Sequence, residues 1–257
     1  MNLLYLLLNI VQGITEFLPI SSSGHLIIIE HIAAIDAHGL EAFLHLPTVF
    51  SIGFLFWQEL LEIAKNPKQW PAVIVAIIPA GIIGLLFSDV IDMLLYSPII
   101  IGVSQLFWGF VMAHIAHKAE SATFITNKTD KITLKQALFI GAGQVLALIP
   151  GTSRSGITTM SGIVAGVTPQ TSAKFSFIIG FPLLTAAAGV GLVKLITSGS
   201  IAALGIAPWA LFIGFALSFF LGIGAMWLFT SSNTTKVMKY SAFYRILVGI
   251  FILLWLI

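Results

Sequence analysis

The chain has 257 residues, of which 58% are hydrophobic and only 9% charged, with a formal net charge of +2 and a mean hydropathy of +1.04. Soluble domains carry about a quarter charged residues, so this composition excludes an ordinary soluble enzyme, makes nucleic acid an unexpected partner and marks a polytopic membrane protein. There is no cysteine, which rules out disulfides and thiolate metal sites.

In chain order, the first apolar piece covers residues 2–12. It lacks the basic n-region and small-residue cleavage site of a signal peptide, and is expected to belong to the mature protein. It runs into "TEFLPISSSGHL" (Thr15–Leu26), where a carboxylate, three consecutive serines and a histidine interrupt an apolar region, and a second short piece, 24–34, follows. Three stretches then approach or exceed the ~20 residues needed to cross a bilayer: 38–58, 70–88 and 97–117. A lysine-bearing connection leads to two further short pieces, 134–149 and 156–166, which flank "PGTSRSG" (Pro150–Gly156). Three more spans, 171–197, 206–230 and 240–257, complete the chain. The expected fold class is an all-α polytopic membrane protein with six spanning helices and two re-entrant helical hairpins, forming a single membrane domain over 1–257. Gly13, Pro19 and Gly24 break the first hairpin, and Pro150, Gly151 and Gly156 the second. Hydrocarbon tolerates such backbone only where protein or water satisfies it, so the tips should line a cavity.

Alternating six crossings puts Lys65 and Lys68, Lys118, Lys128, Lys131 and Lys135, and Lys236 and Lys239 on one side, while loops 89–96 and 198–206 opposite contain no Lys or Arg. The positive-inside rule makes the lysine side cytoplasmic. Both termini and the first hairpin's entrance then face outward, and the second hairpin enters from the cytoplasm.

"PISSSG" (Pro19–Gly24) and "PGTSRSG" resemble each other. Aligned on their glycines, Ser22 stands opposite Arg154. Each motif ends a short apolar helix carrying a glutamine (Gln12, Gln144), and each is followed by a short helix and three spans. The chain thus reads as two halves, 1–117 and 134–257. Three crossings per half is odd, so the second copy is inverted, an arrangement that places broken helices and polar sites near the bilayer midplane.

Ionisable side chains near the bilayer centre cost roughly 2.5–3.5 kcal/mol each, so Glu16, His25 and Arg154 need an explanation. If the two tips meet, the site holds a guanidinium, a carboxylate, an imidazole and a ring of hydroxyls from Thr15, Ser21, Ser22, Ser23, Thr152, Ser153, Ser155, Thr158 and Thr159. It also holds free N–H groups at helix starts after Gly24 and Gly156. Helix N-termini and an arginine fork select an anion, with phosphate the natural ligand. Binding alone needs neither imidazole nor carboxylate, so a reaction is expected, with Ser22 and His25 close enough on one helical turn to pair as nucleophile and base. Glu16 could orient His25, accept a proton itself or bind a divalent cation, and these roles stay open. Ser51, Ser104, Ser172, Ser176 and Ser218 read as ordinary helix serines. His31, His38, His114 and His117 read as structural, with His45 undecided. Trp57, Trp70, Trp209, Trp227 and Trp255 read as core or interfacial belt.

These motifs resemble the undecaprenyl-diphosphate phosphatase family, also called bacitracin-resistance proteins. The resemblance rests on "QGITEFLPISSSGHL" (Gln12–Leu26) and "IPGTSRSGIT" (Ile149–Thr158), with support from "AGVTPQTSAKFSFIIGFP" (Ala165–Pro182) and "YRILVGI" (Tyr244–Ile250). It implies an integral membrane enzyme that removes the terminal phosphate of a polyprenyl diphosphate, recycling the lipid carrier of cell-wall precursors and conferring bacitracin resistance, with Mg²⁺ or Ca²⁺ as cofactor. By position it implies Glu16 as the essential acid, Ser22 as the motif serine, His25 as the motif histidine and Arg154 as the phosphate-binding arginine, with Ser153 and Thr158 beside it. The family's first acidic position is Gln12 here, one carboxylate fewer for a Gln12–Glu16 cation site. In "HLPT" (His45–Thr48), Pro47 replaces the usual glycine and is expected to bend its helix. The expected partners are the lipid diphosphate and membrane lipids in the plasma membrane; a homodimer is one arrangement compatible with the chain. The rival class is a transporter or flippase of an anionic lipid phosphate.

Overall fold

The structure, a computed structural model, describes residues 2–33, 40–95, 97–197, 205–231 and 233–255. Among these it is all-helical: α1 (Asn2–Thr15), α2 (Ser22–Ala33), α3 (Glu41–Leu55), α4 (Trp57–Lys65), α5 (Trp70–Leu95), α6 (Pro98–Ala119), α7 (Leu134–Val145), α8 (Arg154–Val164), α9 (Pro169–Thr197), α10 (Pro208–Thr230) and α11 (Thr234–Trp255). His38, the start of the expected span 38–58 and most of the lysine-free loop 198–206 lie outside the described residues.

Helices α5, α6, α9, α10 and α11 are long and apolar enough to cross a membrane. The sixth expected crossing is not one straight helix. It breaks at Phe56, and α3 and α4 meet at 75°. Past Phe56 the sequence turns amphipathic: Leu60 packs on the core while Gln58 and Glu62 face out. Pro47 sits inside α3 without ending it.

Small residues set the helix spacing, because without a Cβ two backbones can close to contact. A Cβ on Gly249 of α11 would lie 2.9 Å from the Gly102 carbonyl oxygen of α6. Likewise α1 packs on α10, where a Cβ on Gly13 would meet the Ser218 carbonyl oxygen at 2.7 Å, and α7 packs on α5, where Gly141 does the same to Ala76 at 2.8 Å. The α3–α9 pair completes the set, and Ser51 of α3 also donates to the Phe219 carbonyl of α10 at 2.9 Å. The main core is aromatic and thioether-rich: Phe177 contacts Phe17 edge-on at 5.6 Å and also Phe56 and Phe229, among Met112, Met160 and Met226. Trp57, Trp70, Trp209, Trp227 and Trp255 all point outward, so none is a core residue.

The lysine-bearing connections gather at one end of the bundle. There Lys239 at the start of α11 pairs with Glu120 after α6 at 2.6 Å, and Lys174 of α9 lies 4.0 Å from Glu59 of α4. A polar cavity of about 580 Å³ opens at this end between α4, residues 127–129 and the start of α9.

Candidate active site

Both polar motifs build the same local shape. Helix α1 ends at Thr15, and Pro19 follows a residue that proline biases away from helix. After it Ser21 takes a left-handed φ of 73°, and its hydroxyl accepts from the Gly24 N–H at 3.3 Å, starting α2 at Ser22. In the second motif Pro150 and Gly151 (φ 88°) stop the chain after α7, Ser153 takes φ 74°, and its hydroxyl accepts from the Gly156 N–H at 3.2 Å, starting α8 at Arg154. The neighbouring hydroxyls repeat too: Ser21 and Ser23 lie 3.3 Å apart, Ser153 and Ser155 3.2 Å. A serine at positive φ is costly, roughly 1–2 kcal/mol, and each one is held by the cap it makes.

The tips touch. Ser155 Oγ donates to the Leu18 carbonyl at 3.3 Å, and Gly156 fits against Pro19 and Met112, leaving 3.2 Å for any Cβ. Across this junction Arg154 Nη2 binds Glu16 Oε1 at 2.9 Å, while Arg154 Nη1 donates to the Ser176 carbonyl of α9 at 3.1 Å. The other carboxylate oxygen, Oε2, accepts from Ser22 Oγ at 2.6 Å and from Gln12 Nε2 at 3.2 Å. The pair is mostly buried, with side-chain exposures of 15% for Arg154 and 6% for Glu16. Each charge is thereby paired where neither could sit alone in an apolar bundle.

Ser22 does not pair with His25. Because the left-handed Ser21 starts α2 at Ser22, the Ser22 hydroxyl turns to Glu16. The imidazole instead has Nδ1 at 2.6 Å from the Ser21 carbonyl and Nε2 at 2.7 Å from Tyr244 Oη. Nor are the Gly24 and Gly156 N–H groups free, since the serine caps use them. Several expected ligand residues spend their hydroxyls on the scaffold: Ser21 and Ser153 cap, Thr15 bonds back to Val11, and Thr158 Oγ1 donates to the Arg154 carbonyl at 2.7 Å. Thr152 Oγ1 and Thr159 Oγ1 are buried and without a hydrogen-bond partner.

Three residues outside the motifs belong to the site. Ser176 is more than the ordinary helix serine its sequence suggests: its carbonyl anchors Arg154 and its hydroxyl lies 2.6 Å from Thr158 Oγ1. Arg245 of α11 is fully buried and donates to Pro19 O (3.1 Å) in the first tip and to Thr152 O (3.0 Å) and Gly151 O in the second. It holds the two tips together. Tyr244, its neighbour in sequence, reaches His25. The available signal was an arginine inside an otherwise apolar span, which costs as much there as in a hairpin.

A family model described as bacitracin resistance protein BacA matches residues 5–251. The chain belongs to this family. Among its relatives is an undecaprenyl-diphosphatase of Acinetobacter baumannii, 36% identical, the match covering 97% of this chain and 93% of that protein. Undecaprenyl-diphosphatases of Thermoanaerobacter pseudethanolicus (33% identical; 96% and 94%) and Caldanaerobacter subterraneus (34%; 96% and 93%) are similar over the same extent.

A divalent cation in this BacA-family chain would require hard oxygen ligands. The described residues contain no group of three His, Asp or Glu suited to a metal. What the tip offers is the Glu16 carboxylate, the Ser22 hydroxyl and Gln12 Oε1, which is buried and has no partner. That donor set fits a hard cation whose remaining ligands come from phosphate oxygens, as Mg²⁺ commonly takes them.

Proposed function

We propose that this chain is a membrane-embedded phosphatase that hydrolyses a polyprenyl diphosphate, of undecaprenyl type, to the monophosphate and inorganic phosphate. It would thereby recycle the lipid carrier of envelope synthesis and confer bacitracin resistance. The observation that carries this is the junction of the tips, where one carboxylate, Glu16, joins an arginine fork on one oxygen and a serine hydroxyl on the other. The family membership and the names of the relatives support the substrate class.

In this reading the terminal phosphate docks against the exposed part of Arg154 and the starts of α2 and α8, where helix dipoles favour an anion. Ser22 Oγ attacks the terminal phosphorus as its proton passes to Glu16 Oε2, the oxygen it already contacts. The bond from phosphorus to the bridging oxygen breaks, and the departing prenyl monophosphate takes the proton from Glu16. Water, deprotonated in turn by Glu16, then attacks the phosphoserine, and Ser22 Oγ regains a proton as inorganic phosphate leaves. Arg154 stabilises charge on the transferred group in both steps, where most of the acceleration in phosphoryl transfer arises. Mg²⁺ or Ca²⁺, held by Glu16, Gln12 and Ser22, would add neutralisation of the diphosphate charge.

The two halves, 1–117 and 134–257, form an inverted repeat whose hairpins are re-entrant. Support comes from the matched serine geometry of the tips and from the exchange of partners, α1 with α10 and α7 with α5. The gathering of the lysine-bearing loops at one end supports a cytoplasmic face there, with both termini outside and the site opening outward.

The test is phosphate release from a prenyl diphosphate by purified protein in detergent, with and without EDTA. Release by wild type, its loss with EDTA, and its loss in Arg154→Ala and Ser22→Ala are expected. Only Arg154→Ala should also weaken substrate binding. A wild type that binds substrate and releases nothing would make the protein a lipid-phosphate transporter instead.

A further inference from the structure

Among the ionisable residues of the two motifs, His25 is left idle by the phosphatase mechanism above, and its surroundings define what it does. The Ser21 carbonyl can only accept a hydrogen bond, so the imidazole nitrogen 2.6 Å away, Nδ1, carries a proton. In the neutral ring Nε2 is then the acceptor, and Tyr244 Oη donates to it at 2.7 Å. The two rings lie parallel within 5°, with centroids 5.6 Å apart. The Ser21 carbonyl thus sets the tautomer, and Tyr244, by bond and stack, sets the plane of the imidazole.

The consequence falls on the reacting hydroxyl. Ser21 sits at φ 73°, a conformation a serine adopts only when something holds it. Its carbonyl is held by His25 through Nδ1 and, at 3.4 Å, through the backbone N–H. The next residue is Ser22, whose Oγ points at Glu16 Oε2. The aligned position in the second tip is Ile157, which offers no such bond. That tip is held instead by Arg245 on the Gly151 and Thr152 carbonyls, so consecutive residues of α11 brace both tips.

We propose that Tyr244 is the positioning residue of His25, holding the imidazole in the plane from which Nδ1–H pins the Ser21 carbonyl and so aims Ser22 at Glu16. The proposal rests on the phosphatase reading. Tyr244→Phe keeps the ring stack and removes only the hydroxyl. Its kcat for phosphate release is expected to fall about tenfold with KM within about twofold of wild type, the pattern of a lost transition-state alignment. The second readout needs no turnover: ¹H–¹⁵N NMR of histidine-labelled protein, with the His25 signals assigned by their absence in His25→Gln. Wild type should show an Nδ1–H proton shifted far downfield by its short bond to the Ser21 carbonyl, and Tyr244→Phe the same proton moved upfield as the ring turns and that bond lengthens. Wild-type kcat in Tyr244→Phe would overturn the proposal, and so would a lost kcat with the Nδ1–H resonance unmoved. If wild type itself releases no phosphate, the phosphatase reading fails and the proposal's catalytic consequence with it, while the NMR readout separately reports the Tyr244–His25 bond.

Discussion

Gly180 in α9 is the notch over which Arg154 lies, and filling it should disable the site without unfolding the protein. A Cβ at Gly180 would overlap Arg154 Nη1 and come within 2.6 Å of Cζ. The obstruction is the end of a flexible side chain, so the guanidinium moves aside while the backbone stays. The move costs two contacts, Nη2 to Glu16 at 2.9 Å and Nη1 to Ser176 O at 3.1 Å. Charge-assisted hydrogen bonds contribute about 1.5–3 kcal/mol each, so losing alignment worth about 3 kcal/mol at the transition state lowers kcat/KM on the order of 100-fold. Gly189→Ala is the matched control: it lies in the same helix with nothing within 4 Å of its would-be Cβ. Both substitutions gain up to about 1 kcal/mol of helix propensity, which in Gly180→Ala only partly offsets the parted Arg154–Glu16 pair. Thermal unfolding should therefore show a folded protein in both cases, with a lowered midpoint in Gly180→Ala alone. Phosphate release should collapse in Gly180→Ala and persist in Gly189→Ala. Activity in Gly180→Ala within threefold of wild type would refute the reasoning that Arg154 works from this position.

Arg245→Met removes the tie between the tips and leaves three buried carbonyls without their donor, at about 1 kcal/mol or more each, partly offset by relief of a buried charge. A lower melting midpoint and at least a tenfold loss of phosphate release are expected, and an unchanged variant would count against the tie. Cysteines introduced into this cysteine-free chain at Thr123 and Gly205, both exposed, should react with an impermeant maleimide from opposite sides of the membrane, Thr123→Cys from the cytoplasm. The reverse pattern would invert the orientation. Ser22→Ala should bind a non-hydrolysable prenyl diphosphate analogue about as well as wild type while turnover falls by orders of magnitude. Matching losses in both would make Ser22 a ligand rather than the nucleophile.

Much of the fold was legible because apolar run length and helix-breaking residues act locally. The five long spans and the four short helices around the two motifs stand close to where hydropathy, Pro and Gly put them. The bend at Phe56 was not visible, since 49–57 is apolar apart from Ser51 and only the amphipathic stretch that follows redirects the chain. The composite of Glu16, Ser22 and Arg154 followed from charge cost and motif likeness, but the partner of Ser22 did not. Spacing along a helix favoured His25, and the left-handed Ser21 that turns Ser22 toward Glu16 depends on contacts made after folding. Tyr244 and Arg245 open the "YRILVGI" stretch that supports the resemblance, but they lie more than 200 residues from the first motif. Local pattern therefore gave them no role in the site, although an arginine inside an apolar span is itself a warning of a buried partner.

The most direct measurement follows a prenyl diphosphate by ³¹P NMR as the purified wild-type protein acts on it. The two diphosphate resonances should give way to equal amounts of inorganic phosphate and lipid monophosphate, and Arg154→Ala should leave them unchanged. Release of pyrophosphate as a unit, or an intact diphosphate beside protein that binds it, would contradict hydrolysis of the terminal phosphate at the junction of the two tips.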